Sequence, residues 1–267
     1  MAKRILVAPI AVAFVLALAG CGSSGIGGAT GSSVSLDQEW QLGDQMAAQV
    51  AQQVHFVSDP VANNYVRAVG ERIHAQTPLA NRPFDFHIVD DPEINAFSIP
   101  GGHVYVNRGL IGAANKADEL AAVIAHEESH IVARHVIKQA EQQQTIGAIG
   151  SILLGQNPGV LQQLVAQVLA GGAMARFSRA DEKQADDLGL GFMRAAGYNP
   201  QGMIDMFMTL QQQDRSNPGR VARFFQDHPL TQDRINDVQS RIGSMASSSG
   251  LITDEPEFHE AKARIAP

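Results

Sequence analysis

The chain has 267 residues, 45% of them apolar, with 20 Lys+Arg against 27 Asp+Glu and a net charge of −7 with histidines neutral. That acidic balance argues against a nucleic-acid partner, which a basic face would have to hold. The single cysteine rules out an internal disulfide, and the apolar content suits one large domain with its own core.

In chain order, Lys3 and Arg4 precede an uncharged run from Ile5 to Leu18, which ends in Leu-Ala-Gly-Cys at Leu18 to Cys21. A basic start, a short apolar core and a small-residue exit predict a secretory signal peptide over residues 1–20. The core is shorter than the roughly 20 residues a membrane span needs. The stretch resembles a bacterial lipobox, which implies that Cys21 is the first mature residue and the lipid attachment. Several acyl chains anchor stably where one binds only marginally. An ordinary secreted protein with a free thiol is the alternative. Gly22, where an aspartate would retain the protein at the inner membrane, implies the outer membrane of a two-membrane host, facing the periplasm. Removing residues 1–20 leaves 18 Lys+Arg against 27 Asp+Glu, a net −9. The Gly/Ser-rich stretch that follows predicts a flexible tether over residues 21–35, which leaves residues 36–267 as the domain.

Leu42, Met46, Val50 and Val54 recur every four residues and predict an amphipathic helix over Leu36–Val54, with a second over Val61–His74. The period then changes. Phe84, Phe86 and Ile88 alternate with Asp85 and His87 as in a half-buried strand, and Phe97–Gly109 predicts two extended segments around Gly101 and Gly102. Val104 and Val106 would face one side, His103 and Tyr105 the other. An exposed edge in this segment would hold an extended polypeptide by main-chain hydrogen bonds, while an ordinary packing hairpin fits the pattern equally. Asn115 as N-cap predicts a long helix from Ala117 to Glu141. Thr145–Met174 is apolar in pieces too short to cross a bilayer, which predicts core or lid helices, with a shallow membrane contact as the alternative. Ser178 with Asp181 makes a capping-box-like start for a helix ending near Gly197. Asn199 and Pro200 open another helix, whose Met203, Met206, Phe207 and Leu210 stripe predicts core packing. Thr231 opens the last, after which Ser244–Gly250 breaks the pattern. Many helices around a small antiparallel sheet give an α+β fold that is mainly helical.

The chemistry concentrates in "AVIAHEESHIVARH", residues 122–135. Four residues turn a helix by about 400°, so His126 and His130 lie about 40° apart on one face and can chelate one ion. His135, nine residues beyond His126, falls about half a turn away and predicts a packing or surface histidine. Glu127 completes His-Glu-x-x-His. Zinc held by neutral imidazoles brings the pKa of a bound water toward neutrality, and the adjacent carboxylate can take its proton as it attacks a peptide carbonyl. A catalytic zinc usually takes three protein ligands. Val136 stands where a metzincin would have its third histidine, which excludes that class. Glu182 and Asp186, four residues apart on a later helix, share a face: Glu182 can bind zinc and Asp186 can accept the ring N–H of a ligating histidine. Asp181 and Asp187 lie off that face, as solvated charges. An acidic helix start that merely suits the helix dipole is the alternative for the whole group.

Five segments resemble, in order, those of the gluzincin metalloendopeptidases that include HtpX and the CAAX prenyl endopeptidase, peptidase family M48. They are "YVRAVGERI" (Tyr65–Ile73), "INAFSIPGGHVYVNRGLI" (Ile94–Ile111), "ELAAVIAHEESHIVARH" (Glu119–His135), "SRADEKQADDLGLGFMRAAGYNP" (Ser178–Pro200) and "HPLTQDRI" (His228–Ile235). The resemblance implies one zinc per chain on His126, His130 and Glu182, Glu127 as catalytic base, and Asp186 supporting a ligand. It is nearest to the small bacterial lipoprotein members, without the spanning helices of HtpX and without a helical-repeat domain. His228 stands before a proline, which biases it to an extended conformation on a loop. The family pattern of His-Pro, four residues and Arg implies a place near the metal, either as a fourth ligand that keeps the enzyme latent or as a donor to the transition state, with a plain loop-capping role as the alternative. The implied function is a membrane-anchored zinc metalloendopeptidase that cleaves misfolded or misassembled envelope proteins. A chaperone-like assembly factor of low activity, with a structural or latent zinc, is the alternative. No feature of the sequence speaks to the oligomeric state.

Overall fold

The computed structural model describes residues 32–170 and 176–265. The signal peptide, Cys21, most of the tether and Met174 lie outside the described residues. In chain order the elements are α1 (Leu36–Val50), α2 (Pro60–His74), β1 (Asp85–Val89), β2 (Ala96–Ile99), β3 (His103–Asn107), α3 (Arg108–Ala113), α4 (Ala117–Val132), α5 (His135–Gln142), α6 (Ile146–Leu153), α7 (Pro158–Leu169), α8 (Arg179–Ala195), α9 (Gln201–Ser216), α10 (Pro218–Asp227), α11 (Gln232–Ser244) and α12 (Pro256–Ile265).

Local chemistry accounts for several helix starts. Ser35 and Gln38 form a capping box at α1, Asp59 accepts from the first free N–H groups of α2 ahead of Pro60, and Ser178 with Asp181 caps α8. Leu42, Met46 and Val50 are buried along α1 as their spacing predicts. The chain engages the domain before α1: Val34 is buried, and Ser32 Oγ and Ser33 N–H donate to Glu141 Oε1 at 2.6 and 2.9 Å. Asn115 does not cap α4. Lys116 takes that position, while the Asn115 amide donates to Thr209 Oγ1 at 2.9 Å.

The sheet has the order β1-β3-β2. β2 and β3 form the expected antiparallel hairpin, turning through Gly101 and Gly102 at φ of 83° and 89°, where a side chain would be strained. The hairpin inserts β3 between β1 and β2, so β1 pairs with β3 in parallel and the sheet is mixed rather than wholly antiparallel. Phe86, Ile88, Val104 and Val106 face one core, with Leu120 and Ile124 of α4 and Leu190 of α8. Phe97, Ile99 and Tyr105 face a second core, with Leu42 and Met46 of α1, Ile137 of α5, Ile149 of α6 and Val165 of α7. The helices of the 145–174 stretch are therefore core elements, and among the described residues no helix is long and apolar enough to cross a membrane.

The long helix expected over Ala117–Glu141 is two. α4 ends at Val132, and Arg134 adopts a left-handed conformation (φ 58°, ψ 37°) before α5 begins at His135. The cause is tertiary: the Arg134 guanidinium donates to buried Glu39 Oε2 at 2.6 Å and to Val34 O at 2.6 Å, contacts across about a hundred residues that no local pattern shows. The helix opened by Thr231 is α11, not the last; α12 follows it.

Candidate metal centre

α4 carries the centre. Leu120, Ala121, Ile124 and Ala125 are fully buried and lock the helix against its neighbours, and α8 packs against it closely. A Cβ on Gly189 would meet the Ala125 carbonyl and the His126 nitrogen at 3.3 Å, so the glycine is what lets α8 approach. That approach brings Glu182 and Asp186 to the face from which His126 and His130 project. The turn between α10 and α11 brings His228.

Four buried side chains, His126, His130, Glu182 and His228, each present one ligand atom within 4.8 Å of the others. His126 Nε2 lies 3.0 Å from His130 Nε2 and 3.3 Å from His228 Nδ1. Glu182 Oε1 lies 3.1 Å from His228 Nδ1 and 3.4 Å from His130 Nε2, and Oε2 lies 3.5 Å from His126 Nε2. A tetrahedral zinc with ligands at about 2.0–2.2 Å has ligand–ligand edges of about 3.3 Å, so a zinc would fit these separations.

The hydrogen bonds agree. His126 Nδ1–H donates to Asp186 Oδ1 at 3.0 Å, which turns its Nε2 toward His130 Nε2 and Glu182. Donor atoms turned toward one point in this way could hold a cation between them. Three carboxylates, Glu127, Glu182 and Asp186, surround the guanidinium of Arg234 and hold His126 and His228 toward their charged forms. Arg234 is buried and donates from Nε and Nη2 to Asp186 at 2.8 Å each, from Nη1 to Pro229 O at 3.1 Å, and pairs with Glu182 Oε2 at 2.5 Å.

The electrostatics follow from burial opposed by partners. Burial lowers the His126 pKa, but the Glu182 and Asp186 carboxylates outweigh it and raise it to about 10. Burial prevails at His130, which is held well below the usual imidazole range and so is neutral, as a ligand must be. At Glu182, burial is overcome by the facing histidines, which keep the carboxyl well below its ordinary value.

Glu127 lies beside the cluster, fully buried. Its Oε2 accepts from Ser98 Oγ of β2 at 2.9 Å, and its Oε1 lies 3.3 Å from His228 Nε2. A small cavity bounded by Ser98, Val168, Phe177, Asp227 and His228 opens onto it.

The residues expected from the sequence thus come together: His126, His130, Glu182 and Glu127, with Asp186 behind His126 and His228 among the donors. His135 corrects the expectation. Because the helix breaks at Arg134, its ring does not point away but lies with Nδ1 2.9 Å from His130 Nδ1. Asp181 caps α8, and Asp187 sits beside Lys183 and Arg241 at 3.7 and 4.0 Å, an outer charge as expected. No sequence pattern marks Ser98 as a member of the site, and Arg234 is marked only by the His-Pro, four residues, Arg pattern.

The chain is also similar to known proteins. Residues 60–242 match the profile described as peptidase family M48. The chain is 31% identical over 248 residues to the Beta-barrel assembly-enhancing protease of Escherichia coli (strain K12), covering 90% of this chain and 50% of that protein. It is 31% identical over 175 residues to the Mitochondrial metalloendopeptidase OMA1 of Schizosaccharomyces pombe, covering 66% of this chain and 51% of the relative. With the Metalloprotease LoiP of Escherichia coli (strain K12) it shares 25% identity over 259 residues, covering 88% and 96%. The chain spans about half the length of the first two relatives.

Proposed function

The chain belongs to peptidase family M48 and is by that membership a metallopeptidase, a hydrolase, and from this premise we propose that it is a zinc-dependent endopeptidase acting on unfolded or misassembled envelope proteins. His126, His130 and Glu182 would hold one zinc per chain. The observation that carries this is the set of buried donors separated by 3.0 to 3.5 Å, with the Glu127 carboxylate alongside.

Zinc bound there supplies a Lewis acid and acidifies water. Glu127, oriented by Ser98, takes the proton of the attacking water and delivers it to the leaving amine. β2 is an outer strand of the sheet and places Ser98 beside Glu127, but all four of its residues are buried, so an extended polypeptide aligned along it would have to displace what covers that edge. The name of the assembly-enhancing relative and the lipobox-like start of the sequence support a substrate in the envelope and a lipid anchor at Cys21, facing the periplasm from the outer membrane.

His228 supports a latent state. Its Nδ1 stands among the ligand atoms and its Nε2 beside Glu127, so the ring fills the place where water and substrate must meet. The same placement favours a second account, an assembly factor of low activity with a latent zinc.

Metal analysis and degradation of an unfolded protein test these assignments. The purified protein should hold about one zinc, and His126→Ala, His130→Ala and Glu182→Ala should each lose it. Full retention in Glu182→Ala removes that ligand. His228→Ala should keep its zinc and degrade substrate as fast as the parent or faster. A large fall at full zinc occupancy would instead give His228 a transition-state role. Cys21→Ser should leave the membrane fraction, and sedimentation with membranes after a salt wash would place the anchor elsewhere.

A further inference from the structure

Each proposed histidine ligand needs a partner for its second ring nitrogen, and the two on α4 obtain theirs differently. His126 Nδ1–H donates to the Asp186 carboxylate at 3.0 Å. His130 Nδ1 has no carboxylate. It faces His135 Nδ1 at 2.9 Å, both rings being buried. One of these two nitrogens must carry the hydrogen, and the far side of His135 decides which. His135 Nε2 lies 3.1 Å from Gln184 Oε1 and 3.5 Å from Asp181 Oδ1. Gln184 presents its amide oxygen, and the Asp181 carboxylate nearby disfavours a bare nitrogen, so the hydrogen goes to His135 Nε2. His135 Nδ1 is then an acceptor, and His130 Nδ1 is the donor. That leaves the His130 Nε2 lone pair directed at His126 Nε2 and Glu182.

The turn at Arg134 sets this up. A continuous helix would carry His135 to the far side, whereas the left-handed residue, tied to Glu39 and Val34, restarts the helix with His135 against His130. Phe177 stacks on the other side of the His130 ring, with centroids 3.9 Å apart, so its plane is fixed by packing and only its tautomer remains to be chosen.

We propose that His135, itself oriented by Gln184, is a positioning residue that holds His130 in the Nδ1–H tautomer and so keeps Nε2 available to the metal. The proposal rests on the zinc-site assignment above.

The test uses two amides that differ in which imidazole nitrogen they replace. An asparagine places its oxygen near the position of Nδ1, a glutamine near that of Nε2. Zinc affinity of the purified full chain is measured by competition with a chelator, with no assay of proteolysis. His135→Asn should stay within about 3-fold of the parent, whereas His135→Gln should bind about 10- to 100-fold more weakly, the usual effect of losing the partner of a metal-bound histidine. Gln184→Ala should weaken binding in the parent and add nothing in His135→Gln. Equal affinity in the two amide variants, or a Gln184→Ala effect that adds in full to His135→Gln, would overturn the proposal and leave His135 a packing residue. No zinc binding by the parent would instead defeat the site assignment on which the proposal rests.

Discussion

Replacing Arg234 by methionine removes the only guanidinium in the centre while keeping an unbranched apolar side chain in its place. In the parent, Arg234 makes a bidentate pair with Asp186 at 2.8 Å on each arm, contacts Glu182 Oε2 at 2.5 Å, and lies over the Phe207 ring at 5.2 Å. The two carboxylates are 1–2% exposed, so water cannot take the place of the lost partner. Removing one member of such a buried pair costs about 3–5 kcal/mol, which in a domain of this size is a fall in Tm of about 6–20 °C. The metal changes the figure. A divalent ion beside Glu182 replaces much of the lost positive charge, so the cost should be smaller in the zinc-loaded protein than in the chelated one. Denaturant unfolding of parent and Arg234→Met, each with zinc and with a chelator, measures both differences. A loss below about 1 kcal/mol in the chelated protein, or an equal loss in both states, would refute the charge-balance argument.

Ser98→Ala removes the hydroxyl that orients Glu127 at 2.9 Å. A hydrogen bond to a charged group contributes about 1.5–3 kcal/mol, so turnover of an unfolded substrate should fall about 10- to 100-fold at unchanged zinc content. Unchanged turnover would remove Ser98 from the machinery. Asp118 lies fully buried at the start of α4, and burial, only partly offset by Lys116, raises its pKa from 3.8 to about 7. A raised acid contributes most to stability below its unfolded value, and that contribution is lost as pH rises from about 4 to about 7. Asp118→Asn should therefore gain stability over the parent across that window, by at most about 4 kcal/mol above pH 7. Urea unfolding at pH 5 and pH 8 checks this, and a gain no larger at pH 8 would contradict it.

The legible part of the centre is the part that one helix encodes alone. His126 and His130 share a face because of helical rise and turn, and Glu182 and Asp186 do so for the same reason. The close approach of the two helices at Gly189, where a Cβ would be tight, carries no periodic signal. Ser98 and Arg234 lie 29 and 48 positions from the carboxylates they hold, on a strand and on a helix whose own patterns only announce packing. His135 was misplaced because helix geometry was extended through Arg134, whose left-handed backbone is held by Glu39 and Val34 far away in sequence. The parallel pairing of β1 with β3 was hidden likewise, since a strand's alternation shows its faces but not its neighbour.

The most direct test of the central claim is zinc content and degradation of an unfolded protein, measured side by side for the parent and Glu127→Gln. The substitution is nearly isosteric and leaves His126, His130 and Glu182 untouched. Zinc should remain at about one per chain in both proteins, while degradation should fall by about 10²- to 10⁴-fold in the variant, the usual contribution of a general base. Degradation by Glu127→Gln at the parental rate would contradict the account.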